Sequence, residues 1–415
     1  MRGLNRLPLI LALLLAVVAT SAAAESPNEW HQWGGPNRDF QASSQGLAAA
    51  WPESGPAKIW SRELGDGYST ILVDGGNLYT MYRGGDKEHV VCLNAKTGKT
   101  VWDNSYDHSP AANHVSQFGD GPRATPLIVG DRLYAIGVAG RMHSINLKDG
   151  KTVWSKDLWS GEEGTPLQHG YSSSPIAYGD LIIALAGRQQ AKITAYKKDG
   201  SVAWESEPYG NTYSSPQVLN VGGQDQIVTF MSGTLVAVHP KNGETLWTFD
   251  LGNQGNVNMP IFLDGEYLFV STLQDGARGL RLTQKGGKTE VEEVWSTRKI
   301  QFYHVTTVNQ GDWVYGVTGA RAPHFVAAVN IKTGEIAWRE RGFAKSNVVA
   351  VDGKLIILEE NGNLHLASAS PEAFNVHSGA KVLEEVAWTA PTIVGNTMYL
   401  RDKTQIMAVN LGNKG

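Results

Sequence analysis

The chain is organised as short blocks in which apolar and polar residues alternate. In residues 125–147 an apolar run, TPLIV, ends at Gly130-Asp131, the alternating run RLYAIG follows, and HSINL forms a third run. Alternation with a period of two predicts half-buried β-strands, and Gly-Asp pairs predict tight turns between them. The same turn recurs at Gly179-Asp180, Asp264-Gly265, Gly311-Asp312 and Asp352-Gly353.

A fourth, outer strand in each block ends in tryptophan. The sequences are TGKTVW (97–102), DGKTVW (149–154), DGSVAW (199–204), NGETLW (242–247) and TGEIAW (333–338). Looser copies end at Trp60 and Trp295, and Leu383 is expected to take the eighth position. Four short strands repeating every ~40–50 residues predict an all-β fold, an eight-bladed β-propeller of four-stranded antiparallel blades. The outer-strand set is Trp60, Trp102, Trp154, Trp204, Trp247, Trp295 and Trp338.

The two ends of the repeat region predict how the ring closes. The last block runs to IMAVNL (406–411) and has no outer strand of its own, whereas KIWSREL (58–64) precedes the first complete block. We therefore expect this N-terminal strand to complete the last blade, because an unpaired edge invites aggregation. Residues 58–415 would then form one propeller.

The repeated tryptophans have a structural explanation. Blades splay outward from the axis, and a large flat side chain fills the wedge between them while its N–H donates to a carbonyl. We expect Trp30, which lies outside the repeats, to contribute less to stability than Trp154 or Trp247.

The N-terminus predicts export. Arg2 and Arg6 precede an apolar run at residues 7–20, and Ala22-Ala23-Ala24 is typical of a cleavage site. Residues 1–24 are therefore interpreted as a signal peptide cleaved near Ala24, and an uncleaved N-terminal anchor is the alternative. The destination is the periplasm or the medium. Residues 25–57 are predicted to be an extension that packs on the propeller through Trp30 and Trp33.

Composition excludes several classes of partner. The net charge is −4 and no basic run occurs, so a nucleic-acid partner is not expected. No segment after the signal peptide is long enough to span a membrane. Cys92 is the single cysteine, so no intrachain disulfide can form, and we interpret it as a small buried residue. A closed ring of this kind is expected to be a monomer.

The Thr-Gly-Lys/Glu-x-x-Trp units resemble the tryptophan-docking repeat of PQQ-like (pyrroloquinoline quinone-type) β-propellers over residues 58–411. WHQWGGPNRDF (30–40) and MYLRD (398–402) are similar to an exported bacterial group of that family. The resemblance implies one of two functions: a PQQ-dependent alcohol or sugar dehydrogenase, or a BamB-like, non-enzymatic scaffold of outer-membrane assembly.

Both classes imply features that this chain lacks. The dehydrogenases carry a vicinal cysteine pair and a Ca²⁺ site made by Glu, Asn and Asp beside a catalytic Asp. A single cysteine excludes the pair, and no matching acidic set is recognisable. The BamB-like scaffolds are lipoproteins, and no cysteine follows the apolar run of the signal peptide.

Candidate binding residues lie in the links between each outer strand and the next inner strand, which should meet around the axis. Arg123 lies three residues before Pro126, Tyr213 lies three before Pro216, and His304 lies three before Thr307. Equal offsets in a closed ring predict that these side chains face one channel mouth. The predicted ligand-binding set is Tyr68, Arg123, His169, Tyr171, Tyr213, Asn258 and His304.

Three interpretations of these links remain open. One is a site for a small anionic ligand or a protein partner, with Arg123 as the anion-binding group. Another is a metal site formed by His108, His114, His169 and His304. The third is ordinary solvated loops, with Arg123 paired internally to Asp107 or Asp120.

The expected function is therefore that of an exported, non-catalytic propeller that binds a protein or ligand on its loop face. No catalytic residue, metal or cofactor is predicted, although a PQQ-dependent oxidoreductase with a diverged site is the alternative. A hydrolase is a third, weaker hypothesis, because no nucleophile elbow, HExxH motif or phosphate loop is present.

Overall fold

The computed structural model describes residues 29–160, 164–252, 261–318 and 322–412. These residues form an eight-bladed β-propeller with almost no helix, which confirms the predicted fold class. The predicted signal peptide at residues 1–24 lies outside the described residues. A short 3-10 helix spans Ser116–Phe118.

The strands follow one another from inner to outer edge within each blade. Two strands precede the first block: β1 (Gln41–Ala42), which lies in the extension, and β2 (Ala57–Glu63), which begins where the extension ends. Blade 1 contains β3 (Leu72–Asp74), β4 (Asn77–Gly84), β5 (Lys87–Asn94) and β6 (Thr100–Asp107), and blade 2 contains β7 (Leu127–Val129), β8 (Arg132–Ile136), β9 (Arg141–Asn146) and β10 (Thr152–Asp157). Blade 3 contains β11 (Ile176–Tyr178), β12 (Leu181–Ala186), β13 (Lys192–Tyr196) and β14 (Val202–Glu205), and blade 4 contains β15 (Gln217–Val221), β16 (Gln224–Met231), β17 (Thr234–Val238) and β18 (Thr245–Asp250). Blade 5 contains β19 (Ile261–Leu263), β20 (Tyr267–Thr272), β21 (Gly276–Lys285) and β22 (Lys288–Thr297), and blade 6 contains β23 (Val308–Gln310), β24 (Trp313–Val317), β25 (Val326–Asn330) and β26 (Ile336–Glu340). Blade 7 contains β27 (Ser346–Val351), β28 (Lys354–Glu359), β29 (Asn363–Ala369) and β30 (Phe374–Lys381), and blade 8 contains β31 (Thr392–Val394), β32 (Thr397–Arg401) and β33 (Gln405–Asn410).

The N-terminal strand closes the ring as the sequence predicted. Blade 8 has the order β31, β32, β33, β2, and β2 pairs antiparallel with β33 from Ala57 opposite Asn410 to Glu63 opposite Gln405. Blade 7 differs from the prediction, because β1 adds a fifth strand at its inner edge and runs parallel to β27. The extra strand comes from the extension and not from the repeat.

Burial along the strands explains the sequence pattern. The middle strands are buried on both faces, as in β12, because neighbouring blades cover them. The outer strands alternate between exposed and partly buried residues, as in β10. The apolar runs therefore fill the space between blades, and the alternating runs form the outer surface.

The repeated tryptophans bridge neighbouring blades. Gly98 and Gly334 lie at turns with φ of 67° and 74°, and a Cβ on either would lie 2.6 Å from the ring of Trp60 or 2.5 Å from that of Trp295. Glycine is therefore needed for the backbone angle and for the ring contact. Six indole N–H groups donate to carbonyl oxygens of the next blade: Trp60 to Ala95 (2.9 Å), Trp102 to Leu147 (2.9 Å), Trp154 to Lys198 (2.9 Å), Trp204 to Pro240 (3.1 Å), Trp295 to Ile331 (2.8 Å) and Trp338 to Ser370 (2.8 Å). The seventh, Trp247, donates instead to Oε1 of Gln226 at 2.6 Å.

The prediction that Leu383 occupies the eighth position is wrong. Ser378 of β30 pairs with Leu366 immediately before a register shift, which is where Trp102 stands opposite Cys92 in blade 1. Leu383 lies beyond β30 and is buried in the core. The place of tryptophan at this junction is taken by a small serine.

Trp51 of the extension fills the space that Ser378 leaves. Its indole N–H donates to the carbonyl of Leu411 at 3.3 Å, and its backbone N–H donates to Oγ of Ser378 at 3.0 Å. Leu411 follows the third strand of blade 8, just as Leu147 follows that of blade 2. The junction between blades 7 and 8 is therefore closed by a tryptophan from another part of the chain.

The extension crosses the inside of the ring. Hydrogen bonds join it to inner strands, or to residues directly before them, on both sides of the axis: Trp30 to Val73 in blade 1, His31 to Ile128 in blade 2, Arg38 to Ser174 in blade 3 and Phe40 to Ala350 in blade 7. Trp30 and Phe40 are both 1% exposed. Residues 30–40 thus act as a plug across the lower part of the central channel.

A buried histidine in blade 2 predicts loss of stability in acid. His143 bonds Oγ of Ser155 at 2.8 Å and stacks on Tyr106, and burial together with the charge of Arg141 lowers its pKa to about 4. The unfolded chain protonates this residue near pH 6.5, so it binds more protons than the folded chain between these values. Stability should therefore fall as pH drops from 6.5 to 4, by up to about 3 kcal/mol from this group.

The test compares urea unfolding of the wild type and His143→Gln at pH 7 and pH 4.5. The variant should lose less stability on acidification, whatever its stability at pH 7. Parallel losses in the two proteins would contradict the assignment.

Candidate functional site

The links between blades surround a central cavity of about 680 Å³. The plug lies below it and the face that carries the links lies above. Its lining residues are Trp33, Tyr68, Thr70, Phe118, Arg123, Thr125, Gln168, His169, Ser172, Ser174, Tyr213, Ser214, Ser215, Tyr303, His304, Val305, Thr306, Lys345, Asn347, Trp388, Thr389 and Ala390. None of these described residues is Asp or Glu.

Equivalent positions of the repeat supply the upper lining. Tyr68, Arg123, His304 and Trp388 each lie four residues before the first residue of an inner strand. Lys345 has the same place in blade 7, where the inner strand begins earlier. We call these residues, with Ser172 and Tyr213, the rim ring: Tyr68, Arg123, Ser172, Tyr213, His304, Lys345 and Trp388.

Two residues further along the chain, small polar side chains join neighbouring blades at four of the junctions. The backbone N–H of one blade donates to the side-chain oxygen of its neighbour: Thr70 to Thr125 (3.2 Å), Thr125 to Ser174 (3.0 Å), Ser174 to Ser215 (2.9 Å) and Thr306 to Asn347 (3.0 Å). These bonds hold the inner strands at fixed spacing, so the rim ring sits on a rigid base.

Arg123 presents a positive charge to the cavity, and among the described residues no carboxylate lies within ion-pair distance of it, although Asp66 and Asp120 are near enough to raise its pKa. Its guanidinium donates to the carbonyl of Gly119 at 2.7 Å and to that of Gly121 at 3.5 Å. Burial lowers its pKa. The alternative interpretation, an ion pair of Arg123 with Asp107 or Asp120, is not seen among the described residues: Asp120 instead binds Arg83 at 3.4 Å and His114 at 3.1 Å.

Lys345 supplies a second cation. Its ammonium lies 4.5 Å from the centre of the Trp388 ring, and burial lowers its pKa. The indole N–H of Trp388 donates to Oε2 of Glu360 at 2.8 Å, which fixes the ring. A cation over an aromatic face is attracted to it, so Lys345 and Trp388 hold each other in place.

His304 is neutral and conformationally strained. Its φ is 54°, unusual for a residue with a Cβ, and its ring stacks on Tyr303 with centroids 3.9 Å apart. The imidazole is open to the cavity but surrounded by protein on its other sides. Burial, the charge of Lys345 and His169 together lower its pKa to about 4.

Aromatic rings cover much of the cavity mouth. Phe118 lies between Trp388 and His169, with ring centroids 5.6 Å and 5.3 Å away, and His169 lies 5.9 Å from Tyr213. Tyr68 packs on Trp388 at 5.2 Å, and its hydroxyl donates to the carbonyl of Phe118. Burial, with a smaller effect of Asp66, raises the pKa of Tyr68 to about 12, so this hydroxyl stays protonated.

The plug forms the floor. Trp33 lines the cavity, and the guanidinium of Arg38 lies 5.3 Å from its ring centre. Arg38 is 4% exposed, and burial lowers its pKa to about 9. A third desolvated cation thus lies directly beneath the cavity.

The structure brings together five of the seven predicted ligand-binding residues: Tyr68, Arg123, His169, Tyr213 and His304. Tyr171 does not line the cavity. It is 3% exposed, and its hydroxyl bonds the backbone of Leu185, because alternation turns it away from the side on which Ser172 lies. Asn258 lies outside the described residues.

The lining residues that the sequence analysis missed include Trp388, Lys345, Phe118 and Trp33. Trp388 lies three residues before Pro391, so the offset that found Arg123 could have found it. Lys345 was hidden by the longer inner strand of blade 7. Phe118 and Trp33 come from a long link and from the extension, where no repeat pattern applies.

The structure does not bring the four proposed metal-binding histidines together. His108 bonds Glu88 at 2.8 Å and His114 bonds Asp120, whereas His169 and His304 line the cavity. Within the described ranges, one group of three residues has its ligand atoms within 4.8 Å of one another: Glu29, His31 and Asp74. There His31 already lies 2.8 Å from Asp74 and 3.7 Å from Glu29, as an ion-pair network.

Comparison with known proteins places this propeller in a family. A family model described as outer membrane protein assembly factor BamB matches residues 43–219 and 86–340. The chain belongs to this family. The overlapping matches reflect the internal repeat.

Individual BamB proteins are distant relatives. The chain is 23% identical over 349 residues to BamB of Salmonella typhimurium, which covers 74% of this chain and 77% of that protein. It is 22% identical to BamB of Shewanella oneidensis, over 54% of this chain and 53% of the relative. The quinoprotein alcohol dehydrogenase PedH of Pseudomonas putida is 27% identical over 192 residues, which is 43% of this chain and only 29% of PedH.

Solved structures of quinoproteins share the fold of this BamB-family chain. A europium-containing methanol dehydrogenase has a TM-score of 0.69 and 12% identity, covering 93% of this chain and 90% of that chain. A quinohemoprotein alcohol dehydrogenase from Comamonas testosteroni has a TM-score of 0.68 and 13% identity, covering 95% and 82%. Among the described residues, no helix has the length and apolar character needed to cross a membrane.

Proposed function

We propose that this protein is an exported, non-catalytic propeller that binds a flat anionic organic ligand in its central cavity. The observation that carries the proposal is the charge of the lining: Arg123 and Lys345 face the cavity, and the described lining contains no Asp or Glu. Relatives named as assembly factors favour a binding role over a catalytic one.

The energetics of the two cations favour an anion. Burial lowers the pKa of both Arg123 and Lys345, which means that their charged forms are incompletely solvated. A carboxylate bound in the cavity beside these cations would restore favourable electrostatics and accept charge-assisted hydrogen bonds. The guanidinium can engage both carboxylate oxygens at once, so Arg123 would orient the ligand.

The cavity walls favour a flat ligand. Aromatic side chains of Trp388, Phe118 and Tyr213 line the mouth, and Trp33 forms the floor. Ring stacking adds attraction beyond the burial of apolar area. A volume of about 680 Å³ is within the usual range for sites that bind small organic molecules.

The alternative function, a quinone-dependent dehydrogenase, fits this site poorly. The resemblance implies a vicinal cysteine pair and carboxylates that hold a cation beside the quinone. Cys92 is buried in β5, and no described cavity residue is a carboxylate that could hold a cation or accept a proton from an alcohol. Arg123 and Lys345 could bind the acidic groups of such a quinone, but the residues for its chemistry are missing.

Substitution of either cavity cation tests the proposal. Arg123→Gln and Lys345→Gln should each weaken binding of 1-naphthoate at least about tenfold, because one charge-assisted contact contributes about 1.5–3 kcal/mol. The measurement is isothermal titration calorimetry, with thermal unfolding to establish that the variants are folded.

Arg62→Gln is the matched control, since Arg62 lies on outer strand β2 and bonds Gly98 and Thr100 there. It should bind 1-naphthoate like the wild type. Equal affinity in all four proteins, or equal affinity of the wild type for the uncharged 1-naphthamide, would contradict the proposal.

A further inference from the structure

A second recess of about 500 Å³ lies over blades 5 and 6. It shares no lining residue with the central cavity, although one link contributes to both: Arg298, Lys299 and Gln301 line the recess, and Tyr303 and His304 line the cavity. The remaining lining residues are Thr318, Ala322, Pro323, Phe325 and Arg339.

The recess has a fixed frame. The backbone N–H of Thr318 donates to the carbonyl of Phe325 at 2.8 Å, and the backbone N–H of Phe325 donates back to Oγ1 of Thr318 at 2.9 Å. On the other wall, Ile300 and Phe302 are fully buried and anchor the link. Backbone hydrogen bonds therefore hold one wall of the recess, and buried apolar side chains anchor the other.

Like charges are held close together in this recess. The guanidinium carbons of Arg339 and Arg341 lie 4.1 Å and 5.3 Å from the centre of the same Phe325 ring. Lys299 and Arg298 line the same recess, and Arg298 forms an ion pair with Asp275 at 3.2 Å. In the described part of the chain, Lys299, Arg339 and Arg341 form no ion pair.

We infer that this recess binds a phosphoryl group. Several cations that line one recess match a group with up to two negative charges on three acceptor oxygens better than they match a single carboxylate. The net charge of the whole chain is −4, so the cluster is a local feature and not part of a generally basic surface. Exposed Ala322 and Pro323 would contact the organic part of a phosphate ester.

Two sources of this group are distinguishable by experiment. Glycerol 3-phosphate tests a soluble ester by calorimetry, and vesicles of phosphatidylcholine with or without phosphatidic acid test a lipid headgroup by co-sedimentation. Saturable binding in either arm that requires the recess cations supports the inference, and the arm that binds more tightly identifies the source.

Charge-neutral variants locate the binding. Arg339→Gln and Lys299→Gln should each weaken binding at least about tenfold, whereas Lys151→Gln, an exposed lysine at a distant turn, should leave it within about twofold. Arg123→Gln in the central cavity should also bind normally. Arg341→Gln, which removes the second guanidinium over the Phe325 ring at the border of the recess, serves as a further variant if one of the others fails to fold.

The contrary results are equally specific. The inference is overturned by the absence of saturable phosphate binding in both arms, by recess variants that bind like the wild type, or by loss of binding in Arg123→Gln alone. The last result would place the phosphoryl group in the central cavity.

Discussion

Deletion of residues 25–64 is expected to cause aggregation, or a fall of more than about 10 °C in the thermal midpoint. The deletion removes β2 and so leaves β33 as an unpaired, apolar edge in blade 8. It also removes Trp30, Phe40 and Trp51 from the core. The combined loss of strand β2 and these three buried side chains should lower stability more than any single substitution does.

Size-exclusion chromatography and differential scanning calorimetry decide this prediction. The control is the protein that lacks residues 1–24 alone, which corresponds to the predicted mature protein and should remain monodisperse. A 25–64 deletion that stays monodisperse and unfolds at the same temperature would refute the role assigned to β2.

Trp51→Ala should destabilise the propeller by about 3–5 kcal/mol. Trp51 is 6% exposed, and its ring stands in for the missing tryptophan of blade 7. Trp154→Ala should cost less, because Trp154 lies on a more exposed outer strand and is only half-buried. The sequence pattern ranks Trp30, another tryptophan outside the repeats, below Trp154.

Urea denaturation of both variants tests the ranking. Trp30→Ala extends the comparison, since Trp30 is 1% exposed and not peripheral as its place outside the repeats suggested. If Trp154→Ala costs as much as Trp51→Ala and Trp30→Ala, the extension would not have the structural role described.

The repeat explains why the fold was predictable. Turn glycines, alternating runs and tryptophans recur at equal spacing, so each block supports the interpretation of the others. Closure of the ring by β2 was predictable because the last block lacks an outer strand, while β2 precedes the first complete block and belongs to none. The junction between blades 7 and 8 was not predictable, because Ser378 stands where the repeat has tryptophan. Trp51, about 330 residues away in sequence, supplies the missing ring.

The candidate site was predictable only where the repeat reaches it. The common offset located Arg123, Tyr213 and His304 around one cavity. Trp33 enters from the plug, and its position depends on contacts across the ring that no local pattern encodes. The prediction that Tyr171 lines the cavity was wrong for a local reason. In an extended segment successive side chains point to opposite sides, so Ser172 lines the cavity and Tyr171 does not.

The central claim is that an anion binds beside Arg123 and Lys345 in the central cavity, and a crystal structure with 4-bromobenzoate tests it most directly. The bromine can be located by its anomalous scattering without reference to the protein. The account predicts one strong peak in the central cavity, with the carboxylate in contact with Arg123 or Lys345 and the ring near Trp388. A peak confined to another surface, or a carboxylate that points away from both cations, would contradict it.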